Sequence, residues 1–154
     1  MSLISWETRA EIAELNARFA WALDSHEYGA LREVLAADVH YLGSAGEFRG
    51  VDAVIGAFRS RTGMRTTRHG LGNLLLAAHD DGRITGRSCW HTFASNSEPV
   101  GTGPIDGVGL ALVADFHDVY SRGPQDRWRI SERIIRPIFR NPALSPGAAA
   151  AKSV

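Results

Sequence analysis

The sequence predicts an α+β domain in which one curved antiparallel sheet wraps three N-terminal helices and encloses a pocket. The first part of the chain has helical periodicity, with one apolar stripe formed by Ile12, Leu15, Phe19 and Leu23. From Thr66 onward this periodicity gives way to long strand-like runs that are joined by turn residues. A chain that places helices first and strands afterwards segregates them into a helical layer and a sheet.

Three helices are predicted ahead of the long strands. They cover residues 5–23, residues 28–35 and the stretch after Asp52. Ser5 or Thr8 is expected to cap the first helix, and Asp52 is expected to cap the third. Between the second and third helices, the pattern indicates two short strands at residues 39–42 and 47–49 around a glycine-rich turn.

Four long strands make up the second half of the chain. Asp80–Asp81–Gly82 and the turn at residues 123–126 each join two apolar runs, which is typical of a hairpin. The predicted strands cover residues 67–78, 83–95, 110–121 and 127–139. We expect one domain over residues 1–140 and a mobile, alanine-rich tail over residues 141–154.

The composition indicates a globular domain with no nucleic-acid or membrane partner. The 154 residues are 44% hydrophobic and 22% charged, and the formal net charge is zero, so no excess of basic residues attracts polyanions. No apolar run approaches the ~20 residues of a membrane span, and the N-terminus does not resemble a signal peptide. Cys89 is the single cysteine, which fits a reducing cytoplasm.

The sequence implies neither a cofactor nor a metal. The chain contains no G-x-G-x-x-G fingerprint and no P-loop, and no serine lies in a nucleophile elbow. Its six histidines lack the spacing of a zinc site on one helix. Any chemistry is therefore expected to use ordinary side chains alone.

Asp24 is the first candidate for chemistry because it points inward from the end of the first helix. At about 100° per residue, it continues a stripe of small residues formed by Ala13, Ala17 and Ala20. A carboxylate on the packed side of a helix needs a hydrogen-bonding partner or a raised pKa. The sequence therefore predicts that Asp24 has a polar partner inside the domain.

His69 is the second candidate and lies in the first long strand. Strand alternation places it on one face with Leu71, Asn73 and Leu75, so a histidine and an asparagine share an otherwise apolar surface. Such a histidine either bonds a backbone carbonyl or forms a polar site in an apolar pocket. The residue pattern alone leaves both interpretations open.

The chain as a whole resembles a known family. An LD pair at the end of the first helix is followed by LAADVHY, by TRHGLGN, and by DFHDVYSR with DRWRISER. Over roughly residues 4–139 this order is similar to the SnoaL-like division of the NTF2-like superfamily. That group includes polyketide cyclases, scytalone dehydratase, hexachlorocyclohexane dehydrochlorinase and the small subunits of aromatic-ring-hydroxylating dioxygenases. The resemblance implies an NTF2-like cone, in which a sheet curves around the helices and leaves a pocket inside.

The resemblance also implies which residues act. In the dehydratase and dehydrochlorinase branches, a strand histidine like His69 pairs with an aspartate like Asp24 at the end of the first helix. The carboxylate orients the imidazole, whose other nitrogen then acts as a base. The residues expected around the substrate are Trp21, Tyr41, Phe58, Asn73, Trp90, His91, Phe116 and Asp118.

Two departures argue against particular reactions of the family. Phe19 stands where the dehydrochlorinase branch has a lysine, so a cation that would stabilise chloride is missing. Leu23 stands where the dehydratase branch has a tyrosine, which argues against scytalone dehydration in its known form. The predicted function is a cofactor-independent lyase or isomerase that dehydrates, isomerises or cyclises a small hydrophobic cyclic substrate.

Two further expectations concern partners. The same motifs resemble the small (beta) subunit of an aromatic-ring-hydroxylating dioxygenase, so the alternative is a non-catalytic partner of such an enzyme or a small-molecule-binding protein.

In the last strand, alternation puts Arg127, Arg129, Ser131 and Arg133 on one face, opposite an apolar face of Trp128, Ile130, Ile134 and Ile138. An apolar sheet face that short helices cannot cover predicts a homodimer or homotrimer.

Overall fold

A computed structural model describes residues 3–98, 101–106 and 108–148 of the protein. In these ranges, two α-helices and six strands are connected by turns and short 3₁₀ helices. The helices are α1 (Trp6–Asp24) and α2 (Val51–Arg59), with a 3₁₀ helix at Tyr28–Glu33 between them. The strands are β1 (Leu35–Gly43), β2 (Gly46–Arg49), β3 (Thr66–Ala78), β4 (Ile84–Ser95), β5 (Gly109–Arg122) and β6 (Trp128–Arg140).

The strands form one curved mixed sheet in the order β2-β1-β6-β5-β4-β3, and the helices cover its inner face. Neighbouring strands run antiparallel except for β1, which runs parallel to β6 with Leu35 opposite Ile130. The α+β cone is confirmed, but a purely antiparallel sheet is wrong at this pair. Because β1 and β6 are distant in the chain, no turn sets their relative direction and local periodicity does not reveal it.

The second helix is shorter than the sequence predicts. Residues 28–33 form only a 3₁₀ helix, and β1 begins at Leu35 rather than at Val39. A segment this short cannot sustain an α-helix on propensity alone. Leu35 instead pairs with Ile130 in the sheet, where its side chain is buried.

The two α-helices begin differently. The hydroxyl of Ser5 accepts a hydrogen bond from the backbone N–H of Thr8 at 3.2 Å, which confirms a serine cap for α1. In contrast, α2 follows Gly50, whose φ of 87° favours glycine. Asp52 lies in the first turn of α2 and pairs with Arg32, so the expectation that Asp52 caps this helix is wrong.

The four long strands lie within one residue of their predicted bounds. The pairing between neighbouring long strands shifts at four places, and two of these shifts bear on residues that the sequence placed on a face. In β3 the pairing with β4 shifts between Gly72 and Leu75, and Asn73 there has a φ of 54°. In β6 the pairing with β5 shifts at Ser131.

The shift in β6 reverses the alternation that the sequence predicts for this strand. One extra residue lies between the pairs formed by Ile130 and Glu132, so the strand changes face at this point. Trp128 and Ile130 face the core, and so does Arg133, which has no exposed surface. Ile138 remains exposed. The predicted single apolar face of the last strand is therefore wrong, because its first half is buried and its second half is not.

The core lies between the helices and the inner face of the sheet. The apolar stripe predicted for α1 is buried, and so are Val54, Ile55 and Phe58 of α2. They pack against buried aromatic side chains of the sheet such as Trp90 and Tyr120. Of the helices within the described ranges, none combines the length and the apolar character that crossing a bilayer requires.

Residues 141–148 fold back over one end of the sheet. The side chain of Leu144 lies beside Gly109, and the backbone carbonyl of Leu144 accepts a hydrogen bond from Arg65 at 2.7 Å. Asn96 donates to the carbonyl of Ser145 at 3.0 Å. Residues 149–154 lie outside the described ranges, so the mobility of the tail and the domain boundary at residue 140 remain predictions.

Candidate active site

Asp24 and His69 lie within hydrogen-bonding distance, as the sequence predicts. The carboxylate oxygen Oδ1 of Asp24 is 2.6 Å from Nδ1 of His69 and accepts from the hydroxyl of Thr67 at 2.8 Å. The other oxygen, Oδ2, accepts from the backbone N–H of His69 at 2.9 Å. Three hydrogen bonds thus converge on one carboxylate. We call this carboxylate and the imidazole together the Asp24–His69 pair.

Local structure explains why these residues meet. Asp24 ends α1 on the alanine-lined side of that helix, and the chain turns away directly afterwards, with His26 in the left-handed region at a φ of 58°. Thr67 and His69 are two positions apart in β3, so their side chains project from the same face of the strand. The hydroxyl and the imidazole therefore reach the same helix end.

The Asp24–His69 pair is sheltered, and the carboxyl group is ionised at neutral pH. The side chain of Asp24 is 4% exposed and that of His69 is 15% exposed. Burial acts to raise the pKa of Asp24, but the hydrogen bonds from His69 and Thr67 outweigh it and hold this pKa below its ordinary value. An ionised carboxylate only accepts hydrogen bonds, so Nδ1 of His69 carries the proton. In the neutral ring Nε2 then has a free lone pair.

The imidazole of His69 lies in the wall of two cavities. One of them, which we call the main cavity although the other is slightly larger, has a volume of about 220 Å³ and lies under α2 and the residues that follow it. Its lining residues include Leu23, Phe58, Thr92 and Leu112. The α1 cavity, of about 260 Å³, lies between the alanines of α1 and the strands. Within the described residues, Nε2 of His69 has no hydrogen-bond partner, so it is free to receive a proton.

Four of the eight predicted substrate-binding residues lie at a cavity. Phe58 lines the main cavity, and Trp21 and Trp90 line the α1 cavity. Tyr41 borders a small cavity of about 20 Å³ next to Phe58, and its ring meets that of Phe58 edge-on at 6.2 Å. Burial raises the pKa of Tyr41 to about 12, so its hydroxyl stays protonated and is a donor.

Asn73 and His91 lie away from both cavities. Asn73 is exposed in the irregular part of β3. His91 pairs with Gly70, which faces the opposite side of the sheet from His69, and its ring covers the bare backbone of that glycine on the outer face. The pairing of β4 is regular at this point, and His91 faces outward because its neighbours Trp90 and Thr92 face inward. The expectation that these two residues contact a substrate in the pocket is not met by their placement.

Phe116 and Asp118 face inward, but they belong to the core. The ring of Phe116 stacks on Trp90 at 4.7 Å. Asp118 forms a two-point ion pair with Arg133, with both N···O distances at 2.8 Å, and accepts from the hydroxyl of Tyr120 at 2.7 Å. Asp118 is therefore fully occupied by partners. Sequence alternation gave no signal for this pair, because it placed Arg133 on the outer face.

Sequence reasoning also missed the charged wall of the main cavity. Its lining includes Arg59, Arg61 and Arg65, which lie within residues 59–65, and Arg140 from the end of β6. The cluster at residues 59–65 was a local signal that could have been noticed, whereas only the fold adds Arg140 to it. In the ranges that the structure covers, no group of three or more His, Cys, Asp and Glu side chains is placed to hold a metal ion.

Comparison with known proteins shows which family this chain belongs to. A model of the SnoaL-like domain matches residues 5–134. A comparison with curated proteins gives no match.

Solved structures share the fold at low identity. A Nostoc punctiforme protein of unknown function with a cystatin-like fold has a TM-score of 0.71 at 23% identity, over 93% of this chain and 98% of that one. A candidate scytalone dehydratase from Novosphingobium aromaticivorans has a TM-score of 0.70 at 14% identity, over 95% and 94% of the two chains. A Catenulispora acidiphila protein in complex with S-DNPA has a TM-score of 0.70 at 17% identity, over 86% and 95%. With the family model covering most of its length, this chain belongs to the SnoaL-like domain family.

Proposed function

We propose that the protein is a cofactor-independent lyase or isomerase in which His69 is the general base. The observation that supports this proposal is the orientation of the imidazole, whose Nδ1 is bound to an ionised, buried carboxylate while Nε2 is free at a cavity wall. A buried carboxylate behind a histidine holds its tautomer and stabilises the imidazolium that forms when it takes a proton.

In the proposed reaction, Nε2 of His69 takes a proton from a substrate carbon next to a carbonyl group. The electron pair of the broken C–H bond moves into an enolate. Return of the proton to a departing hydroxyl gives dehydration, return to another carbon gives isomerisation, and attack of the enolate on a second carbonyl gives cyclisation. General base catalysis contributes ~10²- to 10⁴-fold in rate, so polar donors at the cavity must stabilise the enolate oxygen as well.

The lining of the main cavity suits a small hydrophobic ring. Leu23, Phe58, Ala111 and Leu112 supply apolar surface, and the hydroxyl of Thr92 lies opposite His69 in the sheet register as a donor. The candidate scytalone dehydratase with the same fold makes dehydration one of the reactions to test first.

Exchange of a carbon-bound proton with solvent deuterium tests the base without knowledge of the natural substrate. We would incubate the protein with 2-tetralone in deuterium oxide and follow loss of the α-proton signals by NMR. His69→Ala should reduce exchange to the buffer rate, whereas His91→Ala, which changes a histidine on the outer face, should not. Exchange at the buffer rate in the unmodified protein, or equal exchange in His69→Ala, would contradict the proposal.

A non-catalytic role is the second candidate. The Catenulispora acidiphila protein of the same fold is solved with a small molecule, and the three hydrogen bonds on Asp24 also suit a purely structural joint. In that case the protein is a small-molecule-binding protein or a partner subunit. From the sequence we also propose that the protein forms a homodimer or homotrimer and that it is cytoplasmic. Both proposals are compatible with either candidate function.

A further inference from the structure

Four arginines surround the main cavity. Arg59 and Arg61 come from the end of α2 and the residues after it, Arg65 from the approach to β3, and Arg140 from the end of β6. In the described part of the chain, no aspartate or glutamate belongs to the lining of this cavity. Its wall is therefore positively charged, although the chain as a whole has a formal net charge of zero.

Many arginines elsewhere in the protein have acidic partners. Those with a carboxylate oxygen within 4.0 Å include Arg18, Arg32, Arg49, Arg83, Arg122, Arg129 and Arg133. None of the four cavity arginines has such a partner among the residues described. Arg9, Arg68, Arg87, Arg127 and Arg136 also lack one in the described part of the chain, and all five are exposed. The feature that distinguishes the cavity arginines is that four of them line one cavity.

Arg65 is half-buried, whereas Arg59, Arg61 and Arg140 are exposed at the rim of the cavity. The guanidinium carbon of Arg61 lies 4.5 Å from the ring centre of Phe58. Nη1 of Arg65 donates to Asn96 and to the carbonyl of Leu144, both at 2.7 Å, while Nε is buried without a partner. Desolvation lowers the pKa of both groups, and the charge of Arg61 lowers the pKa of Arg65 further. Like charges held together in this way are stabilised by a bound anion.

A row of neighbouring side chains connects the base to one of these arginines. In the sheet register His69 is opposite Thr92, Thr92 is opposite Leu112, and Leu112 is opposite Arg140. All four line the main cavity. Because adjacent strands lie ~4.8 Å apart, the Cα atoms of His69 and Arg140 are separated by ~14 Å across the sheet. This wall therefore runs from a base, past a hydroxyl and an apolar side chain, to a cation.

We propose that the main cavity binds an anionic substrate, a small hydrophobic ring compound whose carboxylate or phosphate group lies on the arginines while a ring carbon faces His69. Guanidinium groups bind both kinds of anion with two parallel hydrogen bonds. Phe58 and Leu112 contact the ring. The substrate class rests on the proposed function of His69, but binding of the anion does not depend on proton transfer.

Binding of three matched probes tests this proposal on the full chain. Calorimetry would compare naphthalene-2-carboxylate and 2-naphthyl phosphate with the neutral naphthalene-2-carboxamide. We expect at least one anion to bind ~10-fold or more tightly than the carboxamide, with a preference that shrinks as salt is added. The tighter of the two anions identifies the acidic group of the substrate. Equal affinity for the charged and neutral probes would overturn the proposal.

Substitutions then locate the site. Arg61→Gln and Arg140→Gln should each reduce the preference for the anion, whereas Arg61→Lys should retain most of it because the charge is kept. Arg87→Gln is the matched control and should leave the preference unchanged. A preference that survives in both Arg61→Gln and Arg140→Gln would place the anion elsewhere and overturn the proposal.

His69→Ala separates this inference from the proposed catalysis. The variant should keep the preference for the anion, because the imidazole is not part of the arginine group. If the unmodified protein shows the preference but catalyses no deuterium exchange into either 2-tetralone or a 2-tetralone that carries a ring carboxylate, the anion site stands and the base function of His69 fails. Loss of the preference in His69→Ala with the fold intact would overturn the separate anion site.

Discussion

His69 binds Asp24 through both its ring and its backbone: Nδ1 lies 2.6 Å from Oδ1, and the backbone N–H donates to Oδ2 at 2.9 Å. One carboxylate thereby sets the position of the strand and the tautomer of the imidazole together. The hydroxyl of Thr67 adds a third hydrogen bond at 2.8 Å. The contact joins α1 to β3, so it contributes to folding stability as well as to the proposed reaction. Substitutions are expected to affect the stability and the reaction rate differently.

Asp24→Asn should slow deuterium exchange into 2-tetralone by ~10²- to 10⁴-fold. The amide cannot stabilise an imidazolium, and its N–H₂ group favours the wrong tautomer of His69. The double variant Asp24→Asn/His69→Ala should be no slower than His69→Ala, since both residues act in one proton transfer. Full activity in Asp24→Asn would show that the carboxylate does not orient the base.

The lowered pKa of Asp24 makes part of the folding stability depend on pH. As pH falls, the unfolded chain takes up this proton before the folded protein does. The stability that Asp24 contributes is therefore complete above the ordinary carboxyl pKa of ~3.9 and is lost as pH falls through the lower folded value. Urea denaturation should show a stability difference between the unmodified protein and Asp24→Asn that narrows below pH ~4. A difference that stays constant in acid would contradict this assignment.

Arg133→Met should destabilise the fold by about 3–5 kcal/mol, because it leaves Asp118 buried without its ion-pair partner. The double variant Arg133→Met/Asp118→Leu should lose less than the sum of the single losses, since it removes both charges. Urea denaturation measures each value. Arg87→Gln, an exposed arginine without a carboxylate partner, is the control and should stay within ~0.5 kcal/mol of the unmodified protein. Additive losses in the double variant would mean that the two side chains do not stabilise one another.

The outer face of the sheet carries exposed apolar side chains next to one another. Phe93 is opposite Leu110, and Val113 is opposite Phe139, whose side chain is 66% exposed. We expect this face to pair with another copy of the chain. The sequence predicted a dimer or trimer through a different face, that of Trp128, Ile130, Ile134 and Ile138, of which Trp128 and Ile130 are buried in the core. Light scattering should give more than the mass of one chain, and Phe139→Asp should lower it. Trp6→Asp, on the helical side, is the control; a monomer at micromolar concentration would contradict the expectation.

The sequence determined those features that depend on local periodicity. The stripe of Ala13, Ala17 and Ala20 places Asp24 on the packed side of α1, and alternation in β3 places His69 on one face with Leu71. Both are counted within a single element, so neighbouring residues suffice to assign them. The family resemblance supplied what periodicity does not, the pairing of these two residues, and the 2.6 Å contact confirms that geometry.

Only the tertiary structure decided the features that depend on pairing between distant segments. The extra residue at Ser131 moves Arg133 from the predicted outer face into the core, and the irregular pairing after Gly72 leaves Asn73 exposed. Arg140 joins Arg59, Arg61 and Arg65 at the main cavity because β6 ends beside the segment that follows α2. A bulge or a long-range contact is chosen by the free energy of the whole packed sheet, which no local run of residues encodes.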